Sequence, residues 1–257
     1  MPNSTVIGFT KMHGLGNDFM IVDLTKRAVP MPYFNVTALS NRQCGIGFDQ
    51  LILIKSSVSA DFSCQFFNAD GSEAEQCGNG LRCVARFLLE NELTKKTTLK
   101  IATKAGNIGI EIHSFDAIEV DMGLPQKISE LKDLIFISMG NPHAIVKVDA
   151  IDNVAVMAEG KEIASQFSTG ANVGFMQIID PTTIRLRTYE RGVGETFACG
   201  SNACASVVAG IQRGWLEKKV RVELPFGELF IEWEGPNHPI KMTGPASMIY
   251  SGNLLVS

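Results

Sequence analysis

Four short blocks of this chain occur twice, in the same order and at nearly the same spacing. "GNDFMIVD" from Gly16 returns as "GNPHAIVKVD" from Gly140, and "GFDQLILI" from Gly47 as "GFMQIID" from Gly174. "SEAEQCGNG", leading to Cys77, returns as "GETFACGSN", leading to Cys199, and "AGNIGIEI" from Ala105 as "FGELFIEW" from Phe226. The separations are 124, 127, 122 and 121 residues. Solenoid repeats have periods of ~20–50 residues, so this pattern reads as one duplicated domain and not an array. Two homologous lobes are expected, packed about a pseudo-twofold axis. A chain of 257 residues is long enough to give each a core.

Short apolar runs such as "FMIVD", "QLILI", "TLKIAT" and "IEVDM" are bounded by Gly, Asn and Pro and read as strands. Each half then holds one helical stretch of clear length, "GNGLRCVARFLLENEL" and "GSNACASVVAGIQRGW". The fold class that follows is α+β, each lobe a curved, mostly antiparallel sheet wrapped around one central helix. "DMGLPQK", Asp121 to Lys127, interrupts the strand pattern with Gly and Pro and marks the seam between lobes. The tail "GPASMIYSGNLLVS" reads as a further strand.

Each helical stretch starts directly after a cysteine. The first N–H groups of a helix lack intrahelical acceptors and carry partial positive charge. A thiolate placed there is stabilised, so Cys77 and Cys199 are candidate bases or nucleophiles. The small residues after them, Gly78, Asn79 and Gly80 in one half and Gly200, Ser201 and Asn202 in the other, leave the N–H groups open to a carboxylate. The spacings C-x5-C and C-x4-C are not those of a zinc or iron–sulfur site, and no metal is expected. Cys83 and Cys204 read as buried helix-face thiols, and Cys44 and Cys64 as strand or loop core residues. Two thiols brought by the duplication to one axis suit a reaction that removes a proton from one face of a carbon and returns one to the other.

The net charge is −4 and no run of basic residues occurs, which argues against nucleic acid or an anionic membrane as partner. The opening "MPNSTVIGFTKMHGLGNDF" lacks the basic, apolar and small-residue regions of a signal peptide. A cytoplasmic protein acting on a small molecule is expected.

The motifs "FTKMHGLGNDFMIVD", "GFDQ", "NADGSEAEQCGNG", "GNPHAI", "ANVGFMQI", "YERGVGETFACGSNACA" and "MTGPA" closely resemble those of the diaminopimelate epimerase family, over nearly the whole chain. The resemblance implies cofactor-independent interconversion of LL- and meso-diaminopimelate by a two-cysteine mechanism, in lysine and peptidoglycan-precursor synthesis, by a homodimer. It makes Cys77 and Cys199 the acid/base pair, with the N–H groups of Gly78, Asn79, Gly200 and Ser201 on the carboxylate. Asn17, Gln50, Asn68, Asn141, Asn172, Glu190 and Arg191 would line the rest of the pocket. Glu190 would also support Cys199, and His143 would influence Cys77. The tail would return to the first lobe, giving lobes of 1–121 plus 246–257 and 122–245. Two departures stand out: Leu81 in "CGNGLR" where the family has a smaller residue, and Asn202 in "CGSNAC" where it has glycine. A related two-cysteine proline or hydroxyproline racemase is the alternative, though a pocket with Glu190, Arg191 and several asparagines suits a longer substrate. Phenazine-type isomerases of the same fold lack the cysteine pair.

Overall fold

The structure, a computed structural model, describes residues 5–26, 34–131, 134–168 and 170–256. The chain divides into two units, Met1–Val120 with Pro245–Ser257, and Asp121–Gly244.

The first unit opens with the antiparallel hairpin of β1 (Thr5–Gly14) and β2 (Asn17–Asp23). Its two-residue turn, Leu15 and Gly16, has φ of 54° and 87°, the left-handed values that the tightest hairpins require. A crossover containing α1 (Val36–Ser40) leads to β3 (Gln50–Ser56), parallel to β2, and β4 (Phe62–Asn68) returns antiparallel. The short β5 (Glu73–Ala74) pairs with β4. Helix α2 (Gly78–Glu90) then crosses to β6 (Thr98–Thr103), parallel to β4, which β7 (Gly106–Ser114) and β8 (Ala117–Asp121) extend as an antiparallel meander. Parallel neighbours need a crossover, and each helix sits in one.

The second unit repeats this plan. After β9 (Gln126–Leu131) come the antiparallel β10 (Leu134–Ser138) and β11 (Pro142–Lys147). A crossover with α3 (Val156–Ser165) leads to β12 (Asn172–Asp180), parallel to β11. The strands β13 (Thr183–Glu190) and β14 (Gly194–Thr196) follow, then α4 (Gly200–Gln212). It crosses to β15 (Lys219–Leu224), parallel to β13, with β16 (Gly227–Glu232) and β17 (Lys241–Gly244) antiparallel beyond. Finally β18 (Ser247–Val256) pairs antiparallel with β1 in the first unit. The join to β18 is held to α2 by two arginines: buried Arg82 donates from Nε to Pro245 O at 3.0 Å, and Arg86 from Nη1 to Ala246 O at 2.6 Å.

The strand register corrects one of the four block matches. Phe19 faces Gln50 and Leu51 faces Phe67 in the first unit; His143 faces Asn172 and Val173 faces Tyr189 in the second. Gln50 therefore corresponds to Asn172, 122 residues on, and Phe48 and Asp49 correspond to Gly170 and Ala171. The match of "GFDQ" with "GFMQ" at 127 is five residues out of register. An odd slip would turn every side chain to the opposite face of the sheet.

Both faces of the sheet are covered where β2 and β3 lie, which explains apolar runs without alternation. Met20, Val22, Leu51 and Leu53 pack with Phe48 and Phe67 on one side. On the other, Gly80 of α2 rests against Phe19, Ile52 and Phe66. In the second unit Phe136, Val173 and Phe175 pack with Val156 and Ala164 of α3. The sequence pattern predicts one helix per half; α1 and α3 are additional to it, α3 with Ala155 as N-cap and Gly160 at its middle. Propensity argues against a helix there, but a side-chain carbon at Gly160 would stand 2.4 Å from Tyr189 Cβ, so glycine is what allows α3 to lie on β13.

Candidate active site

Each unit presents its cysteine at the same local structure. Cys77 and Cys199 are the last extended residues before α2 and α4, with φ/ψ of −146°/114° and −117°/104°. Neither helix has a side-chain cap bond from its N-cap residue or an acidic residue in its first turn. Both helix starts therefore keep N–H groups and positive potential for an incoming anion.

In the first unit, Asn17 lies at the centre. Its Oδ1 accepts from Cys77 Sγ at 3.7 Å and from Asn79 Nδ2 at 3.2 Å, and its Nδ2 donates to Asp49 Oδ2 at 2.8 Å. Gln50 Nε2 donates to Asn68 Oδ1 at 2.8 Å, and Asn68 Nδ2 to Ser72 Oγ at 3.0 Å. Gln50 Oε1 is buried and has no protein partner, leaving an acceptor for a bound donor.

In the second unit, buried Cys199 lies 3.5 Å from Ser201 Oγ, and Ser201 Oγ lies 2.9 Å from His143 Nε2. His143 Nδ1 is 2.9 Å from Asn141 O, an oxygen that only accepts, so Nδ1 carries the proton and Nε2 accepts from the Ser201 hydroxyl. Burial pushes His143 down to about 4, so the ring is neutral at pH 7. Within the second unit the bonds of His143 run toward Cys199 through Ser201. Asn172 Nδ2 is 3.5 Å from His143 Nε2, and Asn172 Oδ1 accepts the backbone N–H of Arg191 at 2.9 Å. Glu190 Oε1 accepts from Thr196 Oγ1 at 2.5 Å.

Burial, and then the charge of Glu190, push the Cys199 thiol well above its usual value. The lowering expected from the helix end is outweighed at Cys199. A hydrogen bond from the thiol to Glu190 contributes to the upward shift. At rest Cys199 is a thiol whose proton faces a carboxylate.

The remaining cysteines are unlike this pair. Burial raises Cys64 and pushes Cys83 up to about 12, and Cys204 is fully buried. Cys44 is exposed, not a core residue as expected, because Asn41 Oδ1 caps its N–H at 3.0 Å in a surface turn. The glutamates four residues before Cys77 and Cys199 are tied up in ion pairs, Glu73 with Lys104 and Glu195 with Arg187.

The departure at Asn202 is accommodated by its surroundings. Asn202 corresponds to Gly80, and the three neighbours of Gly80, Phe19, Ile52 and Phe66, correspond to His143, Gly174 and Thr188. Two of the three large neighbours around glycine, Ile52 and Phe66, have become the smaller Gly174 and Thr188 around asparagine. Asn202 Nδ2 donates to Thr188 Oγ1 at 3.1 Å, and a side-chain carbon at Gly174 would stand 2.6 Å from Asn202 Oδ1. The side chain points into the core and leaves the turn after Cys199 clear. Gly174→Ala is expected to cost roughly 1–3 kcal/mol by overpacking, part of it recovered when Asn202→Gly is added. Urea denaturation of the three variants checks this, and equal losses with and without Asn202→Gly would refute the contact. Leu81, the other departure, is a fully buried core residue of α2.

Residues 9–128 and 135–249 match the family model described as diaminopimelate epimerase. Among similar proteins, a diaminopimelate epimerase of Pseudomonas aeruginosa is 44% identical over 97% of this chain and 99% of its own length. One of Stutzerimonas stutzeri is 41% identical over the same shares. Solved structures share the fold at low identity: a phenazine biosynthesis protein of the PhzF family from Bacillus anthracis (TM-score 0.75, 19% identical, 98% of this chain and 100% of that one). Another is a hydroxyproline epimerase from Agrobacterium vitis with bound trans-4-hydroxy-L-proline (TM-score 0.72, 13% identical, 97% and 92%).

Proposed function

The chain belongs to the diaminopimelate epimerase family and is an isomerase that epimerises diaminopimelate, and on that premise we propose that Cys77 and Cys199 are its acid/base pair. The observation that carries this reading is that each of two duplicated units ends an extended segment in a cysteine at an uncapped helix start.

In the proposed reaction the α-carboxylate of the substrate binds the N–H groups of Gly78, Asn79, Gly200 and Ser201. Those preorganised dipoles stabilise the negative charge that develops when the α-proton leaves. Glu190 accepts the Cys199 proton, and the thiolate so formed takes the α-hydrogen from one face of the carbon. The Cys77 thiol delivers its proton to the other face and is left as thiolate. The proton count is unchanged and the centre is inverted; in reverse the two cysteines exchange roles. Ser201 and neutral His143 hold the Cys199 loop in place. Asn17, Gln50, Asn68, Asn141, Asn172 and Arg191 orient the rest of the substrate, Arg191 by offering a planar fork to the distal carboxylate. This scheme uses no cofactor.

No helix among the described residues is long and apolar enough to cross a membrane. A cytoplasmic homodimer serving lysine and peptidoglycan-precursor synthesis is the setting we propose. Exposed Val6, Ile249 and Leu255 on the paired β1 and β18 give association an apolar face. Assay of the purified chain on LL-diaminopimelate, L-proline and trans-4-hydroxy-L-proline tests the substrate assignment. Turnover of diaminopimelate alone is expected, and faster turnover of either ring substrate would overturn it.

A further inference from the structure

Resting on the reading that Cys77 is one of the two acid/base groups, we propose that Asp49 is a positioning residue for the reaction: it locks the Asn17 amide with its oxygen toward Cys77, so that Cys77 waits as the thiol. A side-chain amide can present either its oxygen or its NH2 to a neighbour, and the two have opposite effects on a cysteine. Oxygen accepts the S–H and favours the thiol; NH2 donates to sulfur and favours the thiolate. The Asp49 carboxylate only accepts, so the group facing it at 2.8 Å must be the Asn17 nitrogen, and the oxygen is turned to Cys77 Sγ and Asn79 Nδ2.

Asp49 is itself held on several sides. Its Oδ2 also accepts the backbone N–H of Asp18 at 3.1 Å, its Oδ1 accepts from Arg42 Nη2 at 2.8 Å, and its own N–H donates to Asp18 Oδ1 at 2.9 Å. Arg42 clamps Asp18 bidentately, at 2.9 and 2.8 Å, and buried Lys11 bonds Asp18 and the carbonyl of Gly47. Burial opposes the charge of Asp18, but the bonds from Arg42 and Lys11 outweigh it and hold the carboxyl down at about 2. Asp18 therefore stays ionised throughout the neutral range. Among the described residues of the unit, the charged and titratable groups around this end of α2 include Lys11, Asp18, Arg42 and Asp49, with His13 and Arg82 beside them, Glu75 two residues before Cys77 and Cys83 within α2.

The duplicated framework gives the comparison that isolates this device. By strand register, Lys11, Asp18 and Asp49 correspond to Phe136, Pro142 and Ala171. Three members of the ion cluster in the Cys77 unit thus have apolar residues at the equivalent positions of the Cys199 unit. Conversely, the carboxylate that faces Cys199 is Glu190, whose counterpart in the first unit is the neutral Asn68. One thiol has a proton acceptor beside it; the other has a fixed amide oxygen that keeps its proton in place. Inversion by a two-thiol pair requires that inequality, since one group must start ionised and the other protonated.

Alkylation of Cys77 by iodoacetamide, followed peptide by peptide by mass spectrometry from pH 6 to 11, reads the state of the thiol. Asp49→Asn frees the Asn17 amide to turn, and the midpoint is expected to fall by about one pH unit. In an Asn17→Ala background the same substitution should shift it far less. No shift, or an equal shift in both backgrounds, would overturn the proposal, the second because it would show a charge acting through space. Should Asp49→Asn lack a cooperative melt, Asp49→Ser removes the same acceptor and is read in the same way. Epimerisation by Cys77→Ala separates the two layers: if it persists, Cys77 has no part in the reaction. If it is lost while the midpoints stay put, only the role of Asp49 falls.

Discussion

Alanine at Cys77 or at Cys199 is expected to lower kcat for diaminopimelate epimerisation by about a thousandfold, with the double variant little worse than either single one. Inversion needs a proton to leave one face of the carbon and another to arrive at the opposite face. Removing either group stops the cycle as completely as removing both, so the losses do not add. KM should change little, because the N–H groups proposed to hold the carboxylate belong to the backbone and remain. Alanine is tolerated at a position that makes no side-chain cap bond. Initial rates from each stereoisomer check this, and a loss under tenfold at either cysteine would remove that residue from the acid/base pair.

Glu190→Gln is expected to move two observables in opposite directions. The Glu190 carboxylate disfavours the thiolate of Cys199, second only to burial. Replacing it with a neutral amide therefore lowers the pH at which Cys199 becomes ionised, and alkylation of Cys199 should begin at lower pH than in the parent chain. Epimerisation should nevertheless slow by about a hundredfold, because the amide cannot take the thiol proton when substrate is bound. A merely structural role for Glu190 would not make the thiol more reactive while making the enzyme slower. Unchanged alkylation, or a rate within threefold of the parent, would contradict the assignment.

The sequence carried the duplication, the strands flanking the cysteines and both helices that start after a cysteine, because each is written locally: apolar runs, small residues after a cysteine, a helical period. It did not carry register. "GFDQ" and "GFMQ" look equivalent as strings, and only the pairing of Phe19 with Gln50 and of His143 with Asn172 shows which residues share a place. Helix α3 was hidden for a related reason, since its Gly160 is explained by Tyr189, a residue distant in sequence. The same holds at Asn202, which looks like an intrusion until Gly174 and Thr188 are seen beside it. At the site, residue types point to Cys77 and Cys199 and the family resemblance to Asn17 and Glu190, while Asp49 stands inside the motif "GFDQ" with no role implied for it. Its signal was available, an acidic residue in an apolar run whose repeat position is Ala171, but reading it required the correct register.

The most direct test of two-thiol chemistry is stereospecific exchange of the α-hydrogen in deuterated water by the two single variants. With Cys77→Ala, the remaining Cys199 can reach only one face of the carbon. It should exchange the hydrogen of one stereoisomer at the reacting centre without inverting it. With Cys199→Ala, the remaining Cys77 should exchange only the other stereoisomer. Mass spectrometry of recovered LL- and meso-diaminopimelate reads both outcomes. Opposite preferences of the two variants are the predicted result; exchange of the same stereoisomer by both, or inversion at the parent rate by either, would contradict it.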